Sequence, residues 1–314
     1  MFIVTVAASC KKNDNTVSSP GYASYSSMNA IYDLLRNQPA YFTVNAATGG
    51  SFYGNSGTRY IFPANCFVDG TGANVTGNVQ VAATEYLKKG DMIFSKMLPI
   101  SGNEPLLSGG EISVTATQGG NKVFMKPGFT FRANIPQGGT AQQGMMLFLG
   151  RPVQDTAKID TNINNVNWAF AIDTGHNGVT YIPSVIDTIS IISDSLRQCN
   201  ADQFMTAPNY QTFKVTVVVT GATLSPTTEV KGFTLYDTFK GAWPLGCIGS
   251  YANGVFTEQH VPNIPVHFAV YTLIDNKFYG GVLAKTPVTG ANYTVTLTQV
   301  DPVAFKGQLN NLVN

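Results

Sequence analysis

Charge is what this chain has least of. Asp, Glu, Lys and Arg make up 12% of its 314 residues, about half the share usual in soluble domains. The formal balance is +1 with no basic stripe, which argues against nucleic acid, because binding there rests on clustered Lys and Arg. Cysteine (four) and histidine (three) form no CxxC pair and no Cys/His cluster, so no structural zinc site is expected, and no cofactor either. No apolar window reaches the ~20 residues that a bilayer-spanning helix needs. What remains is 44% apolar content, enough for real cores, under a surface of Thr, Asn, Ser, Gln and Gly typical of extracellular β-rich proteins. The length predicts two domains.

The four cysteines are Cys10, Cys66, Cys199 and Cys247. Residues 2 to 9 read Phe-Ile-Val-Thr-Val-Ala-Ala-Ser, uncharged and ending in small side chains, and Lys11-Lys12-Asn13-Asp14 follow Cys10. The run resembles a bacterial lipobox, in which a signal peptide (here 1–10) is removed and the cysteine acylated. That resemblance implies a lipid anchor on Cys10 and a membrane partner, with the body at the outer membrane facing periplasm or cell surface. The alternative is a chance row of small residues before an ordinary thiol. The polar stretch 11–27 has the composition of a flexible tether and tips the balance toward the anchor. For the other three cysteines the expectation is small, buried, apolar residues.

Along the chain, Met28, Ile31, Leu34 and Leu35 recur at helical spacing, with Ser26 or Ser27 as cap and Pro39 as stop. The period then changes to 2. Strands are predicted at Thr58–Phe62, Asn78–Tyr86, Glu111–Thr117, Lys122–Met125, Phe129–Ile135 and Met145–Leu149. Residues 151–165 are a polar linker, and Asp194–Met205 is a mixed, partly helical segment. Strands resume at Phe213–Thr220, Val230–Tyr236, Val266–Ile274, Phe278–Leu283 and Tyr293–Thr298. Asp301-Pro302 opens a terminal helix striped by Phe305, Leu309 and Leu312. The fold expected is mainly β: two β-sandwich-like domains, 28–150 and 166–314, with short N-terminal and C-terminal helices.

One stretch is distinctive beyond its pattern: Gly57-Thr58-Arg59-Tyr60-Ile61-Phe62-Pro63-Ala64-Asn65-Cys66-Phe67-Val68-Asp69, continued by Gly72 to Val81. It resembles a signature of envelope lipoproteins from Bacteroidetes-type bacteria, which is similar in turn to the β-sandwich domain shared by ankyrins, netrin receptors and zonula-occludens proteins. Asp91-Met92-Ile93, Leu107 to Glu111 and Lys126-Pro127-Gly128 extend the likeness over about residues 40 to 150. The segment Gly281 to Leu312 is similar to the tail of the same lipoproteins. Lys11 to Asp14 partly resembles their export tag. The resemblance implies a lipoprotein whose sandwich mediates contacts.

Chemistry is thin. His267-Phe268-Ala269 occupies the frame of a self-cleaving His-Phe-Ser triplet, but alanine offers no nucleophile. His176 and His260 lack a second ligand at useful spacing, and Ser56 lacks the Gly-x-Ser-x-Gly frame. Asp69-Gly70-Thr71-Gly72 lacks the alternating carboxylates of a calcium loop. Glu85, Glu104, Glu111, Glu229 and Glu258 are widely spread. Trp168 and Trp243 are the candidate ligand-binding residues, able to stack on a sugar, with a core plug beneath a loop as the alternative. The function expected is therefore non-catalytic: a lipid-anchored envelope protein presenting β-sandwiches to another envelope protein or a glycan. A carbohydrate-binding accessory lipoprotein is the alternative, and a hydrolase with converging carboxylates comes third.

Overall fold

The computed structural model describes residues 22–102, 104–152, 164–171, 178–182, 185–205, 209–246 and 250–312. The lipobox-like run with Cys10, most of the tether, most of the predicted linker, His176 and Cys247 lie outside the described residues. The chain is mainly β, in two sandwich-like bodies with short helices near its ends.

The first body is two facing sheets. One runs Ala40–Asn45, Asn78–Tyr86, Glu104–Gln118, Gln198–Phe204, Met146–Pro152, Val166–Phe170. The other runs Gly178–Ile182, Val185–Ser193, Phe131–Pro136, Arg59–Phe62, Gly50–Tyr53. Alternation supplies the core: Val79, Val81, Ile112, Val114 and Ala116 from the first sheet meet Tyr60, Phe62, Phe131, Ile135, Ile189 and Ile191 from the second. Cys66 and Cys199 are buried free thiols in this core. Burial pushes both up, Cys66 to about 11 and Cys199 to about 12, which leaves them protonated and inert at neutral pH.

The second body is one eight-stranded sheet in the order Ala242–Pro244, Val230–Tyr236, Val266–Ile274, Lys277–Lys285, Asn292–Gln299, Tyr210–Val219, Val255–Pro262, Ser250–Ala252. Tyr210–Val219 pairs with Asn292–Gln299 in parallel, and the other pairings are antiparallel. The sheet folds over on itself. A Cβ added to Gly232 would lie 2.9 Å from the Phe256 ring, although the two strands are far apart in strand order.

Three helices cap this second core. Met28–Leu35 is capped by Ser27, whose hydroxyl accepts from Ala30 N–H at 3.2 Å. Pro302–Asn310 is capped by Asp301, which accepts from Ala304 N–H at 2.8 Å. A third helix, Lys89–Phe94, was not expected: all six of its residues are buried, so it shows no apolar stripe.

The structure moves the domain boundary. Helix Met28–Leu35 belongs to the second core, with Tyr32 Oη 2.9 Å from Tyr271 Oη. The strands up to Phe204 complete the first body, so the bodies meet near residues 205–209 rather than at 151–165. Residues 198–204 are strand, not partly helical. Their alternation is hidden because Asn200 and Asp202, on the face away from the sandwich core, are buried as well.

Candidate functional site

A groove opens where the bodies meet. Its larger part, about 770 Å³, is lined from the first body by Leu107, Gln142, Gln203, Phe204 and Met205. The second body adds Asn209, Tyr210, Gln211, Phe239 and the turn Pro262–Ile264. A neighbouring lobe of about 490 Å³ shares Gln142 and Phe239 and runs on past Thr140 and Thr238 to Lys240. Both volumes fall in the range of small-molecule sites, which favour domain junctions.

Strand alternation and turn placement build the lining. Phe204 shares the outer face with Asn200 and Asp202, is 40% exposed, and rests edge-on against Phe148 with ring centroids 5.3 Å apart. Phe239 stacks on Tyr236 at 4.6 Å and 23°. Gln142 donates to Gln203 Oε1 at 3.1 Å. Gln211 is held in place by three bonds: its Oε1 accepts from Thr289 N–H (2.9 Å) and hydroxyl (3.0 Å), and its Nε2 donates to the Asn209 carbonyl (2.9 Å). Aromatic rings and five side-chain amides thus share one concave surface. No Asp, Glu, Cys or His is among the described lining residues of either lobe.

The far lobe ends on a buried ammonium. Lys240 is 7% exposed, and its Nζ donates to Gln137 Oε1 at 3.3 Å. Gln137 is aimed by its own Nε2, which donates to the Gly109 (2.7 Å) and Ile135 (3.2 Å) carbonyls. Burial pushes the lysine down to about 8.

Behind the groove wall lies a polar cluster that is sealed from solvent. Asn200 Nδ2 donates to both Glu111 Oε1 (3.3 Å) and Asp202 Oδ2, and Ser108 Oγ donates to Asn200 Oδ1 at 3.0 Å. The strand pairing passes from Gly110 opposite Ala201 to Ser108 opposite Asp202, so Gly109 is an extra residue in the ladder. Gly110 sits at φ +133°, and a Cβ on Gly109 would meet Ile189 Cδ1 at 2.7 Å. The Gly109-Gly110 pair is therefore what lets Asp202 and Glu111 converge on one amide. Burial raises both carboxyls well above the usual carboxylate range, Glu111 further by facing Asp202. Neither residue has measurable exposure. Two converging carboxyls exist, but they face no cleft.

The tryptophans are corrected as ligand platforms. Trp168 is 1% exposed and pinned by its indole N–H donating to the Leu98 carbonyl at 3.0 Å; Asn164 ties down the same turn. Trp243 is wholly buried in the second core, on the short strand Ala242–Pro244 rather than on a loop. Two indoles in apolar cores are worth more as packing than as exposed faces.

The remaining candidates have local duties. His267 Nδ1 lies 2.6 Å from Asp237 Oδ1 at a partly buried site. The Ser56 and Thr58 N–H groups donate to the Glu85 carboxylate at 2.6 and 2.9 Å, so Ser56 is a turn residue. Asp69 Oδ1 takes the Thr71 hydroxyl and the Thr71 and Ala73 N–H groups, and these bonds lower its pKa. Its carboxylate is spent on its own loop. Among the described residues no three His, Cys, Asp or Glu side chains gather as a metal site, and no helix is long and apolar enough to cross a membrane. The sequence missed the groove because its amides come from separate turns.

No protein-family model matches the chain, and comparison with curated proteins returns no match either.

Proposed function

We propose that this chain is a non-catalytic binding protein of the bacterial cell envelope, held to a membrane by a lipid on Cys10, that takes a glycan in the groove between its two bodies. The observation that carries this reading is the lining: Phe204, Tyr210 and Phe239 beside the amides of Gln142, Gln203, Asn209, Gln211 and Asn263. Flat apolar rings suit the C–H faces of a sugar ring, and amides match hydroxyls as both donors and acceptors. The described lining residues offer amides, hydroxyls, aromatic rings and one ammonium, groups that suit binding. The sealed Glu111–Asp202 pair lacks the access that glycosidic chemistry requires.

The anchor and the outer-membrane location rest on the lipobox-like run and the low charged content of the chain. Two measurements test the whole. The full chain on a glycan array should retain a limited set of oligosaccharides and lose them on Phe204→Ala; retention of none overturns the glycan reading. Mass spectrometry of mature protein should show an acylated Cys10 at the amino terminus. An unmodified terminus upstream of it removes the anchor.

A further inference from the structure

We infer that the Lys240 end of the groove receives a carboxylate carried by the bound saccharide, so that the ligand is an acidic sugar such as a uronate oligosaccharide. The inference rests on the glycan reading of the same groove and adds the charge of its ligand.

The two lobes adjoin. They share Gln142 and Phe239, so a chain molecule lying against Phe204 and the amides reaches Lys240 by continuing past Phe239. At that end the chemistry changes from neutral to cationic. Lys240 is more than nine-tenths buried and still lines the lobe. Its Nζ has one protein partner among the described residues, the neutral Gln137 carbonyl.

Two other buried ammoniums are paired with carboxylates. Lys231 Nζ lies 2.8 Å from Glu229 Oε1, and Lys306 Nζ lies 3.0 Å from Asp91 Oδ1. Lys240 forms no such pair among the described residues. The buried acids reached through Ser108, Glu111 and Asp202, bond Asn200 rather than Lys240.

A desolvated ammonium without a counter-ion is costly, and an incoming anion removes that cost while gaining a charge-assisted hydrogen bond. Gln137, itself a lining residue of the lobe and fixed by its two backbone contacts, holds the ammonium. Thr140 and Thr238 stand beside it with hydroxyls that can serve the second oxygen or the ring substituents. A carboxylate on a sugar fits this better than a free ion, because the neutral lobe then contributes the rest of the contact.

Isothermal titration of the full chain tests the inference with three probes: a galacturonate oligosaccharide, a neutral galactose oligosaccharide of equal length, and acetate alone. The acidic oligosaccharide should bind about tenfold tighter than the neutral one, the worth of one charge-assisted bond. Acetate alone should bind far more weakly than either. Lys240→Met should bring the two sugars to equal affinity, and Lys240→Arg should keep part of the preference. Gln137→Glu keeps the lysine and gives it a protein counter-ion, and should likewise abolish the preference. Equal affinity of the two sugars for the native chain overturns the inference and leaves the glycan reading standing. So does a preference that survives both Lys240→Met and Gln137→Glu. Acetate binding as tightly as the acidic sugar makes this a free-anion site and also overturns it. If neither sugar binds, the glycan reading falls and the inference falls with it.

Discussion

Ser108, in the first body, donates its backbone N–H to the carbonyl of Lys240, in the second, at 2.8 Å. The same serine reaches the other way with its hydroxyl, to Asn200 and so to the buried acids. One residue therefore sets the groove's cationic end and closes the sealed cluster behind it. Lys240 lies between the strands Val230–Tyr236 and Ala242–Pro244, and this single bridge ties it to the first body.

The lysine predicts a pH dependence. Its folded pKa of about 8 lies below the unfolded value of ~10.4. The unfolded chain thus holds its proton through pH 8–10 while the folded chain sheds it, and stability rises with pH across that window. Lys89, also lowered by burial to about 8, adds a rise of the same sign. Between pH 7 and 9.5 the urea midpoint of Lys240→Met should fall relative to that of the native chain as pH rises; identical slopes would refute the assignment.

The buried acids predict the opposite sign. Glu111 and Asp202 have raised folded pKa values, so their contribution is full below pH ~4 and is lost as pH rises toward the folded values. Glu111→Gln keeps shape and the Asn200 contact without a titrating proton. It should raise stability at pH 8 by about 1 kcal/mol and flatten the slope above pH 4, as read by chemical denaturation.

Lys306 clasps the two ends of the described chain. Its ammonium donates to the Leu35 carbonyl (2.7 Å) and Asn37 Oδ1 (2.6 Å) and lies 3.0 Å from Asp91 Oδ1. Lys306→Met leaves a buried carboxylate short of its cation and should cost about 3 kcal/mol. Amide exchange in helix Met28–Leu35 should accelerate ahead of the rest of the molecule.

Phe204 and Trp168 should separate binding from folding. Phe204→Ala removes a half-exposed ring and should lower oligosaccharide affinity about tenfold, with little change in melting temperature. Trp168→Phe deletes an indole bond inside the first body and should cost about 2 kcal/mol with affinity unchanged. Calorimetry of both variants, with and without ligand, checks the pair.

How much of this was legible depended on whether each element had one wet face. Asn78–Tyr86 and Val266–Ile274 emerged with the bounds expected from alternation and their flanking turns. The capped helix at Pro302 did too, because Asp-Pro is a local signal. Gln198–Phe204 and Lys89–Phe94 did not, because tertiary burial on every side erases the period. The tryptophans carried a readable hint: Val166 and Trp168 share a face in Val166–Phe170, and both are buried. The groove could not be read at all. Its residues meet only after the strands from both bodies are in place.

The parallel partnership of Tyr210–Val219 with Asn292–Gln299 has a temporal consequence. The opening strand of the second sheet must wait some seventy residues for its inner neighbour, and helix Met28–Leu35 must wait longer still for the core that buries Ile31 and Leu35. Such distant closure is slow. During synthesis the first body is able to fold early, while the leading helix trails uncovered until the last turn of chain arrives to receive it. Assembly therefore finishes as a buckle does, with helix Met28–Leu35 and helix Pro302–Asn310 fastened together in the final act.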